Sequence, residues 1–283
     1  MNQLTCNARY MDEVERVLYN NVLTGVSLSG DKYTYQNPLN TDKPDRWEWH
    51  VCPCCPPMFL KIMAAMPSYI YAYQGDNVYV NLFIGSEVRV PVGKSNSVRL
   101  KQLTSYPWHG ALSIQVNPDK ASTFSMKVRI PGWAQGTENP YDLYQSNLKA
   151  PVKLKVNQED VLLRIVDGYA EINREWKKGD HIELELPMQP RLITANKAVE
   201  NLRGQVALAS GPIIYCFEDA DNPELQTFKL QAQTPLELSH DSNLLNGVNI
   251  IKCQGDIPAK AIPYYAVANR EESHSYKVWI PQK

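Results

Sequence analysis

Three of the chain's six cysteines fall within the hexapeptide Cys52-Pro53-Cys54-Cys55-Pro56-Pro57. Adjacent thiols cannot both point into one core without strain, and a disulfide between neighbouring residues is geometrically poor. Crowding of this kind therefore points to a bound metal or to a reactive thiolate. Cys6, Cys216 and Cys253 are scattered and show no framework spacing. Cys216, in Gly211-Pro212-Ile213-Ile214-Tyr215-Cys216-Phe217, reads as a buried strand residue.

The segment that must position the cysteine cluster follows it directly. Pro56 and Pro57 suit the first turn of a helix running to about Met66, where proline loses no needed hydrogen bond. Upstream, Met11, Val14, Leu18 and Val22 recur at helical spacing between Ala8 and Val22, with Asp12, Glu13 and Glu15 early and Asn7 as the expected cap. Val26-Ser27-Leu28 and Tyr33-Thr34-Tyr35 flank Ser29-Gly30-Asp31-Lys32, a hairpin signal. A polar, proline-punctuated stretch from Asn37 to Pro44 reads as a loop leading to Trp47-Glu48-Trp49-His50.

Near Met66-Pro67 the hydrophobic period changes to two. Val78 to Ile84, Val88 to Val92, Ser113 to Val116, Ser125 to Ile130, Tyr169 to Ile172 and His181 to Leu186 read as strands, with Gly75-Asp76-Asn77 and Lys178-Gly179-Asp180 as turns. About 65 helical residues thus precede about two hundred residues of antiparallel sheet arranged as β-sandwiches. The expected domains are 1–67, 68–190 and 191–283.

With 283 residues, 43% of them hydrophobic and 21% charged, the chain can bury a large core. Its net charge of −1 and lack of a long basic run give no footprint for nucleic acid or an anionic membrane. No apolar run is long enough to span a bilayer as a helix. Met1-Asn2-Gln3-Leu4-Thr5-Cys6 lacks the basic and apolar regions of a signal peptide, which leaves the compartment open.

Several motifs, in order, resemble glycoside hydrolase family 127, the β-L-arabinofuranosidase type. They are Leu18-Tyr19-Asn20, Tyr35-Gln36-Asn37-Pro38-Leu39, the cysteine cluster, Tyr79-Val80-Asn81-Leu82, Tyr106-Pro107-Trp108-His109-Gly110, Arg129-Ile130-Pro131-Gly132-Trp133-Ala134 and Gly211 to Cys216. The resemblance covers about residues 4 to 218, the double cysteine with its flanks is quite specific, and about the last 60 residues contribute little. It implies a mainly β chain: the tail end of an (α/α)6 barrel that holds the active site, followed by antiparallel β-sandwich domains.

It also implies a retaining hydrolysis in which a zinc-bound cysteine thiolate attacks the anomeric carbon while a glutamic acid protonates the leaving oxygen. Carried across, Cys54 matches the nucleophile and Cys55 a zinc ligand, and Tyr35 matches a sugar-contacting hydroxyl. Zinc deprotonates the thiols it binds, so a cysteine of ordinary pKa about 8.5 becomes nucleophilic at neutral pH. The positive end of the following helix favours the same thiolate.

The family's remaining zinc ligands, in a Glu-x-Cys motif, and its acid glutamate lie upstream of the point at which Asn2-Gln3-Leu4-Thr5 aligns. The chain therefore reads as the C-terminal portion of such an enzyme, with half a zinc site, weak or no activity by itself, and terminal β-L-arabinofuranosides or a related sugar as the complete enzyme's substrate. If most of the barrel is absent, Val14, Leu18, Ile62 and Met66 lose partners, and the chain pairs with itself or with an N-terminal barrel chain.

Other readings stand beside this one. Tyr35 fits a hairpin core equally well. Glu48 reads as a solvated glutamate, His50 as a hydrogen-bonded structural histidine, and Trp108 and His109 as turn residues or a sugar-stacking ring. With 16 Tyr and 6 Trp, the sheets could instead form a non-catalytic carbohydrate-binding protein. A closed structural zinc site could also join Cys52, Cys54 and Cys55 to Cys6 or His50.

Overall fold

The computed structural model describes residues 1–48, 54–148, 150–255 and 257–283. The chain is mainly β, with its longer helices before residue 70. By internal contact it forms two compact units: residues 1–14, 64–135 and 149–188, and residues 15–63, 136–148 and 189–283.

The first unit holds a six-stranded and a five-stranded sheet. In the six-stranded sheet Ser86–Val92, Asn96–Thr104, Ala111–Pro118 and Asp180–Glu185 run antiparallel in that spatial order. The period of two is visible in Asn96–Thr104, where Val98, Leu100 and Gln102 are buried and Arg99, Lys101 and Leu103 are exposed. Buried Gln102 donates through Nε2 to the Tyr71 hydroxyl and the Leu82 carbonyl.

The five-stranded sheet centres on Ser122–Arg129, antiparallel to Tyr169–Trp176 and parallel to Asn77–Val80. Its outermost strand on that side is Tyr71–Gln74. Trp176 is fully buried and its indole N–H donates to the Phe124 carbonyl.

Two of the motifs that carry the family resemblance meet in this unit. The fully buried Arg129 guanidinium donates to the Asn81 carbonyl at 2.5 Å and to the Asp12 carboxylate at 2.7 Å. The Tyr169 hydroxyl donates to Asn81 Oδ1 at 2.7 Å. Asn7 caps the Arg9–Val17 helix as expected, its Oδ1 accepting from the Arg9 N–H at 3.0 Å.

The second unit is organised on a ten-stranded antiparallel sheet among the described residues. Its central strands are Arg191–Ala195, Gln205–Ser210, Ile213–Glu218, Ala259–Pro263 and Val248–Cys253. These strands are buried along nearly their whole length, as sheets covered on both faces are.

The helical segment widens into a π-helical turn at Leu18–Val22. Here Asn20 donates to the Arg16 and Pro212 carbonyls and accepts from the Ile214 N–H. That turn packs on Ile213–Glu218 and on the Tyr264–Ala266 turn. Leu18 is therefore buried, contrary to the expectation that it loses its partners, whereas Val14, Ile62 and Met66 are half-buried.

Glu218 ends one of these strands with its side chain fully buried. It accepts from Arg270 and from the Ala268 N–H, and Arg270 also reaches Asp221, which pairs with Lys260. Burial works against the Asp221 carboxylate, yet hydrogen bonds from Arg270 and Lys260 hold it below its ordinary value of 3.8.

Because its folded value is depressed, Asp221 contributes stability that is complete above about pH 4 and is lost as pH falls through the lower folded value. The melting temperature is thus expected to fall as pH is lowered from about 4, and less steeply in Asp221→Asn. An unchanged slope in that variant would remove Asp221 from the account.

Candidate active site

The Cys55–Ala65 helix starts at the second of the paired cysteines, as the prolines predict. Cys54 is exposed and Cys55 half-exposed, and their sulfurs lie 3.5 Å apart without a bond. Two thiolates at about 2.3 Å on one tetrahedral zinc would be about 3.8 Å apart. The observed separation is close to that of two such donors. Among the described residues no three His, Cys, Asp or Glu side chains cluster as metal ligands.

No acidic residue occupies the helix's first turn, so its positive end is not neutralised there. Pro56 and Pro57 have no N–H to offer at this end of the helix.

The remaining cysteines are placed differently. Cys216 and Cys253 are buried in strands, where burial pushes the Cys216 thiol well above its ordinary value and the Cys253 thiol up to about 12. The Cys6 thiol donates to Gln74 Oε1 at 3.4 Å. Glu48 and His109 are exposed. Cys52 and His50 lie outside the described residues, as does the closed zinc site that would use them.

A second group of residues is built around Gly25. Phe59, from the helix that Cys55 begins, packs beside it: a Cβ at Gly25 would stand 3.9 Å from the Phe59 ring. The Gly25 carbonyl accepts from the Thr34 N–H, next to Tyr35. The expected hairpin exists as a bridge between Val26 and Tyr33, closed by Gly30 at φ +80°. Tyr33 also pairs by backbone with Trp47.

Tyr35 is 53% exposed and stacks on Trp47, their ring centroids 6.1 Å apart and their planes 11° from parallel. The Trp47 indole N–H donates to Asp45. Both rings border a cavity of about 280 Å3 whose polar lining includes Asn37, Thr41, Lys43 and Asp45.

Arg46 pins this loop. Its guanidinium donates to the carbonyls of Thr24 and Val267 at 2.8–3.0 Å, and burial pushes its pKa down to about 10. Sequence reasoning passes over Arg46 because its partners are main-chain oxygens, one of them 221 residues away, which leave no signature in side-chain spacing.

Three family models match in order: the "Beta-L-arabinofuranosidase, GH127 catalytic domain" at residues 1–68, the GH127 middle domain at 77–188 and the glycoside hydrolase family 127 C-terminal domain at 190–281. A non-reducing end β-L-arabinofuranosidase of Bifidobacterium longum is 29% identical over 96% of this chain and 45% of its own length.

A solved GH127 β-arabinofuranosidase superposes on the whole chain with a TM-score of 0.92 at 34% identity, over 47% of its own length. A GH127 β-L-arabinofuranosidase from Geobacillus stearothermophilus T6 does so at 0.90 and 33% identity, over 48% of its length. The chain spans about half the length of these relatives.

Proposed function

The chain belongs to glycoside hydrolase family 127, and from that membership we propose that it is the C-terminal portion of a retaining hydrolase of terminal β-L-arabinofuranosides or a related sugar, with Cys54 as nucleophile and Cys54 and Cys55 as zinc ligands. The observation that carries this reading is the exposed Cys54 sulfur held 3.5 Å from that of Cys55 at a helix start. Bound zinc would supply the charge that keeps both sulfurs as thiolates at neutral pH.

In this reading the Cys54 thiolate forms a C–S bond at the anomeric carbon as the glycosidic C–O bond breaks, and the leaving oxygen takes a proton from a carboxylic acid. Water then displaces the Cys54 sulfur, and two inversions restore the original configuration. Cys55 fixes its neighbour's sulfur beside it. Tyr35, held against Trp47, offers its hydroxyl to the sugar.

We assign the proton donor and the other two zinc ligands to the part of the relatives' catalytic domain that this chain does not span. The chain alone then turns over little or nothing. The Cys55–Ala65 helix fits that assignment: it has no buried residue, and Met58, Leu60 and Met63 are all exposed, an apolar surface suited to that missing part or to a second copy of the chain.

Alkylation of the native chain with iodoacetamide, mapped by mass spectrometry, tests the proposal. Cys54 is expected to react, Cys216 and Cys253 to stay protected until unfolding, and zinc to bind at well under one equivalent and to vanish in Cys55→Ser. A Cys54 inert to alkylation, with one tightly held zinc per chain, would favour instead a closed structural metal site in a non-catalytic carbohydrate-binding protein.

A further inference from the structure

Among the described residues, the outer strand Tyr71–Gln74 pairs with Asn77–Val80 on one side only. Beside it is a cleft of about 290 Å3, whose other wall is formed by Asn2, Gln3 and Cys6. All of these residues belong to the first unit, whereas Cys54, Cys55 and Tyr35 belong to the second. The lining carries no charged side chain; it consists of three tyrosines, three amides, a thiol and an alanine. Such a surface offers nothing to an ion, and a strand of four residues offers few main-chain bonds to an added peptide.

Its parts are held in place. The Tyr71 hydroxyl sits 3.0 Å from both Ser86 Oγ and Gln102 Nε2. Tyr79 is buried edge-on against Tyr169. Asn2 Nδ2 donates to the Tyr169 hydroxyl at 2.8 Å and to the Asn7 carbonyl at 3.0 Å, which leaves its Oδ1 as an acceptor. The Cys6 thiol engages Gln74 Oε1, so the Gln74 amide is oriented while its NH2 has no partner among the described residues. Tyr73 presents a ring that is 59% exposed.

We propose that this cleft is a non-catalytic carbohydrate subsite that holds one neutral pentose unit of a glycan. The C–H face of the sugar lies on the Tyr73 ring, and neighbouring hydroxyls bond to Gln74 Nε2 and Asn2 Oδ1. The pentose identity rests on the proposed function; the cleft and its neutral chemistry do not.

The test is a calorimetric titration of the chain with L-arabinose and with a disaccharide ending in L-arabinofuranose. Binding is expected in the wild type and is expected to persist in the double variant Cys54→Ser with Tyr35→Ala, which disables the proposed active site, and to weaken about tenfold when Tyr73→Ala or Gln74→Ala is added to that variant. Tyr73→Trp, which keeps an aromatic face, should retain binding and report it by a shift in indole emission. The subsite is overturned if neither sugar binds, if binding is lost in the double variant, or if Tyr73→Ala and Gln74→Ala leave the remaining binding undiminished. An unreactive Cys54 would sink the catalytic proposal without touching this one.

Discussion

Glu138→Ala is expected to destabilise the chain by about 3–5 kcal/mol, a fall in melting temperature on the order of 10 °C. Glu138 and Arg191 form a two-pronged pair, Nε to Oε1 at 2.6 Å and Nη2 to Oε2 at 2.9 Å, with side chains only 6% and 3% exposed. Arg191 Nη1 also donates to the Gly211 carbonyl at 2.8 Å, tying the pair to the turn before the Ile213–Glu218 strand. Removing the carboxylate strands a cation where water cannot reach it, and that loss exceeds the Coulombic worth of the pair itself.

The double substitution Glu138→Leu with Arg191→Met should therefore recover most of the loss, since it leaves no buried charge. Urea unfolding of the three proteins distinguishes these cases. A loss below about 1 kcal/mol in Glu138→Ala would show that the pair is solvated in solution.

Gly110→Ala is expected to cost about 3 kcal/mol, at the upper end for overpacking. A Cβ at Gly110 would stand 2.0 Å from the Leu186 carbonyl oxygen and 2.9 Å from its carbon, both backbone, so a side chain that yields does not relieve the clash. The two residues are further joined by the Leu186 N–H donating to the Gly110 carbonyl at 3.1 Å, which the displacement would break. Gly85→Ala is the control: nothing lies within 4 Å of a Cβ there. Similar melting temperatures for the two variants would mean that the turn shifts freely.

Gly110 falls in a motif that carries the family resemblance, and the Glu138–Arg191 pair leans on another at Gly211, which points to what those motifs do. Gly110 closes the Tyr106 to Gly110 turn, Arg129 and Asn81 share a buried network, and Gly211 anchors Arg191. They are frame rather than chemistry. Of the motif residues, the Cys54-Cys55 pair and Tyr35 are the ones we assign to the proposed reaction.

Within the first unit, the strands Ser86–Val92, Ala111–Pro118 and Asp180–Glu185 follow from alternation in the sequence, because one side of each faces a core and the other is more open to water, whereas Ser122–Arg129 and Tyr169–Trp176 alternate less cleanly, with Ser125, Arg129 and Tyr169 buried as well. Beyond residue 190 the alternation fades. Gln205–Ser210 and Val248–Cys253 are buried on both faces, and a strand without a wet face has no period of two.

By itself the sequence determined the mainly β class, the helix that begins at the cysteine pair, its family resemblance and the thiolate chemistry open to Cys54 and Cys55. These follow from local patterns and from residue type. Only the tertiary structure decided that Arg46 clamps the Tyr35 loop through main-chain carbonyls, that Glu138 and Arg191 meet across 53 residues, and that Asn2 and Cys6 wall a neutral cleft beside Tyr73. Contacts between positions distant in the chain depend on how strands pair and burial closes around them, and no spacing within one segment encodes that.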